Sequence, residues 1–274
     1  MSSQNKPRRS AGSRGKKRSQ LWVIPLVVLV ATAGIVLMFM PNDMLRPQPD
    51  RSSQPRPGSS LAVGANTGSP SPDPLVATNL SGLSDAEKAA YYQNLGSQLL
   101  EQGRFADAIA QYKAAVKISP EDEDSHYNLG LALAKAGDSA GAEKEYLEAL
   151  RIYPDYPEAH NNLGNLLLEQ GKLDDAVTHF KAALQTTPED ASLHNNLGHA
   201  LARQKKIDEA IPEFKEALRL KPDYVDARYN LGQAYLLQKQ GTEAANEFSE
   251  VLKAQPDFEP AQRGLAKARQ LGGK

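Results

Sequence analysis

Asn128-Leu129-Gly130-Leu131-Ala132-Leu133, Asn162-Leu163-Gly164-Asn165-Leu166-Leu167 and Asn196-Leu197-Gly198-His199-Ala200-Leu201 are three copies of one phrase, each 34 residues after the last. Asn94-Leu95-Gly96 precedes them and Asn230-Leu231-Gly232 follows them at the same step. A fixed period of this size marks a chain in which one small helical unit is stacked on its neighbours. Five units result, 89–122, 123–156, 157–190, 191–224 and 225–258, with positions numbered 1–34 from Ala89, Glu123, Pro157, Ala191 and Val225.

Other positions keep the same phase. Position 20 is Ala108, Ala142, Ala176, Ala210 and Ala244, and position 24 is Tyr112, Tyr146, Phe180, Phe214 and Phe248. Position 32 is Pro120, Pro154, Pro188, Pro222 and Pro256. Small residues at positions 8 and 20 fit a close crossing of two helices within each unit. The aromatic is expected to fill the space between neighbouring units. The proline ends the second helix and sets the turn into the next unit. Gly103, Gly137 and Gly171 predict left-handed stops between the two helices, with Lys205 and Lys239 in that place later in the chain. Ser84-Asp85-Ala86-Glu87 reads as a capping box that starts the first helix.

These motifs closely resemble the tetratricopeptide repeat family, over about 170 residues, 89–258. The resemblance implies an all-α fold: a right-handed superhelix of five helix-turn-helix repeats with a concave inner groove. Residues 259–271 then look like a capping helix over the last apolar face. The expected folded domain is 81–274.

In this family the first helix of each pair lines the groove. Position 6 is Asn94, Asn128, Asn162, Asn196 and Asn230. An amide side chain both donates and accepts, so a row of them can grip an extended peptide backbone. The row resembles the asparagine ladder of O-GlcNAc transferases. Tyr127, Asn161, Asn195 and Tyr229 at position 5 are expected to add selectivity, with Asn165, His199, Gln233, Lys135, Glu169 and Arg203 nearby. Position 2, which would need lysine for the dicarboxylate clamp of chaperone-binding relatives, is Ala90, Asp124, Glu158, Ser192 and Asp226. That departure argues against chaperone carboxy-termini as partners.

Composition narrows the chemistry. From Leu75 onward there are 22 lysines and arginines against 30 acids, a net charge of −8. An acidic domain is a poor match for nucleic-acid phosphates. The chain has no cysteine, which excludes disulfides, thiolate metal sites and a cysteine nucleophile. His126, His160 and His194 fall at position 4 of successive units, too far apart to share a metal, and His179 lies on a second helix. No phosphate-binding loop, HExxH or GxSxG pattern occurs. The expectation is a binding protein, with no cofactor, no metal, no small-molecule substrate and no catalytic residue.

The chain ahead of the repeats reads differently. Residues 1–20 form a basic tail of seven positive charges with no acid, and Leu21–Met40 is a run of twenty residues without a charge. At about 1.5 Å per residue an apolar helix of that length reaches ~30 Å, enough to span a bilayer. Ala31-Thr32-Ala33 also fits a signal-peptide cleavage site, giving a secreted protein. The apolar run continues to Met40, which favours an uncleaved single-pass transmembrane helix. Positive flanks stay cytoplasmic, so the repeats are expected on the other side, facing the periplasm in a bacterial inner membrane. Residues 41–80, with eight prolines, read as a disordered linker. The function expected is a membrane-anchored protein–protein interaction scaffold or assembly factor. The alternative is a regulatory or targeting subunit of an enzyme complex such as a glycosyltransferase.

Overall fold

A computed structural model describes residues 80–273. The expected basic tail, membrane helix and nearly all of the linker lie outside the described residues. Among those described, no helix is long and apolar enough to cross a membrane.

Eleven α-helices and no strands occur among the described residues. They are α1 (Asp85–Glu101), α2 (Phe105–Ile118), α3 (Glu123–Lys135), α4 (Ser139–Ile152), α5 (Pro157–Glu169), α6 (Leu173–Thr186), α7 (Ala191–Arg203), α8 (Ile207–Leu220), α9 (Val225–Leu237), α10 (Gly241–Ala254) and α11 (Glu259–Gly272). Each odd helix from α1 to α9 pairs with the even helix after it, and each even helix packs on the next odd one. The five hairpins are the five sequence units.

Local chemistry sets the ends. Ser84 caps α1: its hydroxyl accepts from the Glu87 N–H, and the Glu87 carboxylate accepts from the Ser84 N–H at 2.8 Å. Asp122, Asp138 and Asp190 accept from first-turn N–H groups of α3, α4 and α7. The expected left-handed stops are present at Gly103, Gly137 and Gly171, with φ of 73°, 86° and 77°. Lys205 and Lys239 adopt the same conformation at φ 65° and 62° despite carrying a Cβ. The backbone bonds at these stops keep the repeat's register: Arg104 N–H reaches Leu99 O as Lys206 N–H reaches Leu201 O.

The aromatic at position 24 sits deeper than the sequence suggested. Tyr112, Tyr146, Phe180, Phe214 and Phe248 are fully buried, and each meets the position-8 glycine of its own hairpin. A Cβ on Gly96, Gly130, Gly164, Gly198 or Gly232 would stand within 3 Å of that ring. The ring therefore closes the hairpin rather than only filling the gap between units. Each glycine–ring pair locks the crossing of two helices, and the leucines at position 7 continue the core into the next hairpin.

The last helix is more than a lid. Gly264 of α11 faces the Phe248 ring, and Ala261 and Ala268 are buried with it. Gln262, at position 4 counted from Glu259, donates to Pro256 O as the position-4 residues of earlier units do to their prolines. By contacts, α11 is the first helix of a sixth unit.

First helices also touch one another. α1 packs on α3, α5 on α7, α7 on α9 and α9 on α11, and the Asn162–Tyr127 bond joins α5 to α3. The odd helices thus share one continuous face.

Candidate functional site

That shared face holds the residues expected to bind a partner, and burial divides them sharply. Asn94 is exposed. Asn128, Asn162, Asn196 and Asn230 are buried, as are Tyr127, Asn161, Asn195 and Tyr229. Their bonds run between repeats. Asn162 Nδ2 donates to the Tyr127 hydroxyl at 3.1 Å, Asn196 Nδ2 to Asn161 Oδ1 at 3.1 Å, and Asn230 Nδ2 to Asn195 Oδ1 at 3.0 Å. Each bond joins position 6 of one unit to position 5 of the unit before. The expected peptide-gripping row is thus first a set of ties between hairpins. The reason is spatial: positions 5 and 6 of adjacent first helices face each other across the odd-helix seam, and a buried amide there must find a partner.

The second repeat departs from this rule. Its position-6 partner would be Gln93, but Gln93 Nε2 is taken by Asp122 Oδ2 at 2.6 Å and Ser125 Oγ at 2.7 Å. Asn128 is left buried with neither its Oδ1 nor its Nδ2 bonded. Two position-9 residues on the same face share this condition: Asn165 through Oδ1 and His199 through Nδ1. Burial, with Arg203 adding to it, pushes the His199 imidazole down to about 4, so it is neutral at pH 7.

A second set of contacts, not visible in the period, closes the opposite edge of α3, α5, α7 and α9. His126, His160, His194 and Arg228 all occupy position 4. Each points one nitrogen at the carbonyl of the preceding proline: Pro120 at 3.1 Å, Pro154 at 2.9 Å, Pro188 at 3.0 Å and Pro222 at 2.8 Å. Each points another nitrogen at position 23 of its own hairpin: Glu145 at 2.7 Å, His179 at 2.8 Å, Glu213 at 2.6 Å and Glu247 at 3.1 Å. Around His126 both partners are acceptors, an arrangement that favours the imidazolium, in which both ring nitrogens donate. Burial opposes that charge, but the bonds to Glu145 and Pro120, with the charges of Glu145 and Glu148, outweigh it and raise the pKa. The histidines are thus separate braces. Among the described residues no three His, Asp or Glu side chains converge as a metal site would require.

Stacked helical hairpins with one continuous first-helix face define a repeat scaffold of the kind that binds other proteins. Sequence profiles of the tetratricopeptide repeat match residues 94–157, 161–224 and 201–268, and the chain belongs to the tetratricopeptide repeat family. Repeats of this family mediate protein–protein or peptide binding.

Solved structures agree with the fold. The tetratricopeptide protein YrrB, described as having an unusual peptide-binding site, superposes with a TM-score of 0.58 at 22% identity, over 65% of this chain and 92% of that one. MamA from Desulfovibrio magneticus RS-1 gives 0.60 at 23%, over 64% and 99%. PilF of Pseudomonas aeruginosa gives 0.57 at 22%, over 68% and 93%. No curated protein matches the chain.

Proposed function

We propose that this chain is a membrane-anchored interaction scaffold that holds an extended segment of a partner protein against its first-helix face. Leu21–Met40 would anchor it, with the basic tail in the cytoplasm and the repeats on the other side, as in a bacterial inner membrane facing the periplasm. The binding reading rests on one observation. Asn128, Asn165 and His199, on α3, α5 and α7, carry buried side-chain atoms with no bonding partner, all at positions 6 and 9 of the shared face. Leaving such groups unmet costs about 1–3 kcal/mol each. An extended main chain offers alternating N–H and C=O groups that match this mixed set. Exposed Asn94 extends the same row at its open end. The likeness to YrrB, a peptide binder by its description, points the same way.

The test is site-specific photocrosslinking of the full-length chain in cells. A photoreactive residue in place of Asn94, on α1, should give a discrete adduct. One in place of Leu147, which is 48% exposed on the second helix α4, should not. Equal labelling from both faces, or from neither, removes the groove reading. A reporter fused after Lys274 that works only in the cytoplasm removes the topology.

A further inference from the structure

The position-4 brace supplies its own internal comparison. Its partner at position 23 is a carboxylate in three hairpins, Glu145, Glu213 and Glu247, and His179 in the third. Position 26 repeats the change: Glu148, Glu216 and Glu250 stand where the third repeat has Ala182. The two Nδ1 atoms of His160 and His179 are 2.8 Å apart, with ring centroids at 5.1 Å.

Counting hydrogens shows what this pair tolerates. The Pro154 carbonyl only accepts, so His160 carries hydrogen on Nε2. In the neutral pair His160 Nδ1 is therefore bare and accepts from the Nδ1–H of His179. One added proton is accommodated, because whichever ring holds it still donates to the other's bare nitrogen. A second proton sets N–H against N–H and brings two like charges into contact.

Asp175 offsets part of that repulsion. It lies one turn earlier on α6 and favours charge on His179, against burial and the His160 ring, which together hold His179 low. Of the flanking helices, α4 turns Glu145 to His126 and Glu148 to Arg151. On α7, His194 is bonded to Glu213 of α8. Glu158 of α5 stands two positions before His160, on the opposite side of the helix.

We propose that His160 and His179 form an acid-labile latch, whose second protonation opens the α5–α6 hairpin in the middle of the array while the braces of the neighbouring repeats stay closed. In the His–Glu and Arg–Glu braces the partners carry opposite charges, so a falling pH does not set like charges against each other there. The latch fails instead when both rings are driven to carry a proton, because only there do two like charges meet. Because α5 carries Asn162 and Asn165, opening there divides the first-helix face. Partner release by acid then rests on the binding reading above, whereas the latch itself does not.

Amide hydrogen exchange of the full-length chain at pH 7.5 and pH 5.0, corrected for intrinsic rates, tests it. Amides of α5 and α6 should open about tenfold more readily at pH 5.0 than at pH 7.5, whereas those of α3 and α4, braced by His126 and Glu145, should not open more readily in acid. His179→Glu copies the brace of the second and fourth repeats and should abolish that difference. His199→Gln, which removes the other acid-sensitive ring, should leave it. If His179→Glu folds poorly, His160→Arg with His179→Glu reproduces the fifth-repeat brace and makes the same comparison. The latch is wrong if α5 and α6 open no more readily at pH 5.0 than at pH 7.5, if the response survives the glutamate, or if it vanishes with His199→Gln.

Discussion

The ring of Phe180 closes on Gly164 so tightly that a methyl at residue 164 would stand 2.7 Å from ring Cε1. The ring is fully buried and has no room to swing away. Gly164→Ala gains about 1 kcal/mol of helix propensity. It should nevertheless destabilise the chain, because overpacking a filled core costs about 1–3 kcal/mol. Pairing it with Phe180→Leu, which gives back the space, should recover part of the loss. Denaturant midpoints of the two variants decide the matter. A Gly164→Ala protein more stable than the parent would show that the hairpin opens freely at this crossing.

The amide pair Asn195–Asn230 joins two repeats across the first-helix seam. Asn230→Ala removes the donor and strands a buried acceptor, for an expected loss of about 1–3 kcal/mol. In a double-mutant cycle with Asn195→Ala the two losses should fall short of additivity by about 1 kcal/mol. Additive losses would mean that the bond does not tie the repeats.

Lys205 and Lys239 hold left-handed conformations that glycine holds in the first three repeats. Lys205→Gly and Lys239→Gly should each stabilise the array by up to about 1 kcal/mol, since the Cβ penalty of the left-handed region is removed. Gly137→Ala should cost a similar amount. Thermal melts of the single variants measure this directly.

Two histidines give opposite pH signatures. His199 is held down to about 4, so its contribution is complete above about 6.5 and is lost as pH falls toward 4. Between pH 7 and pH 5 that amounts to about 2 kcal/mol, and His199→Gln should flatten the profile by this amount. His126 is raised, so its contribution is complete below about 6.5 and is lost as pH rises through its folded value. His126→Gln should therefore cost more at pH 6 than at pH 9. Equilibrium unfolding at several pH values separates the two.

How much of this was legible in advance follows the range of the interactions. The 34-residue period, the hairpin boundaries, the left-handed stops and the Ser84 capping box could all be read from the chain, because each depends on residues within a turn or two. Residues 259–271 read as a capping helix from their place after the fifth unit. The Gln262–Pro256 bond shows that α11 also repeats the position-4 contact. The site was less legible. Asn128, Asn162, Asn196 and Asn230 were visible as a row, but not the row's direction.

By itself, then, the sequence determined that five equivalent hairpins stack in phase, because a repeat that satisfies its own helix signals does so identically each time. Only the tertiary structure decided what the equivalent side chains meet. Position 6 reaches a partner 35 residues back, as Asn196 reaches Asn161, and position 4 reaches one 19 residues ahead, as His160 reaches His179. A period shows which residues occupy the same place but not which neighbour faces them, and burial at the seam turned most of the expected groove amides into ties between repeats.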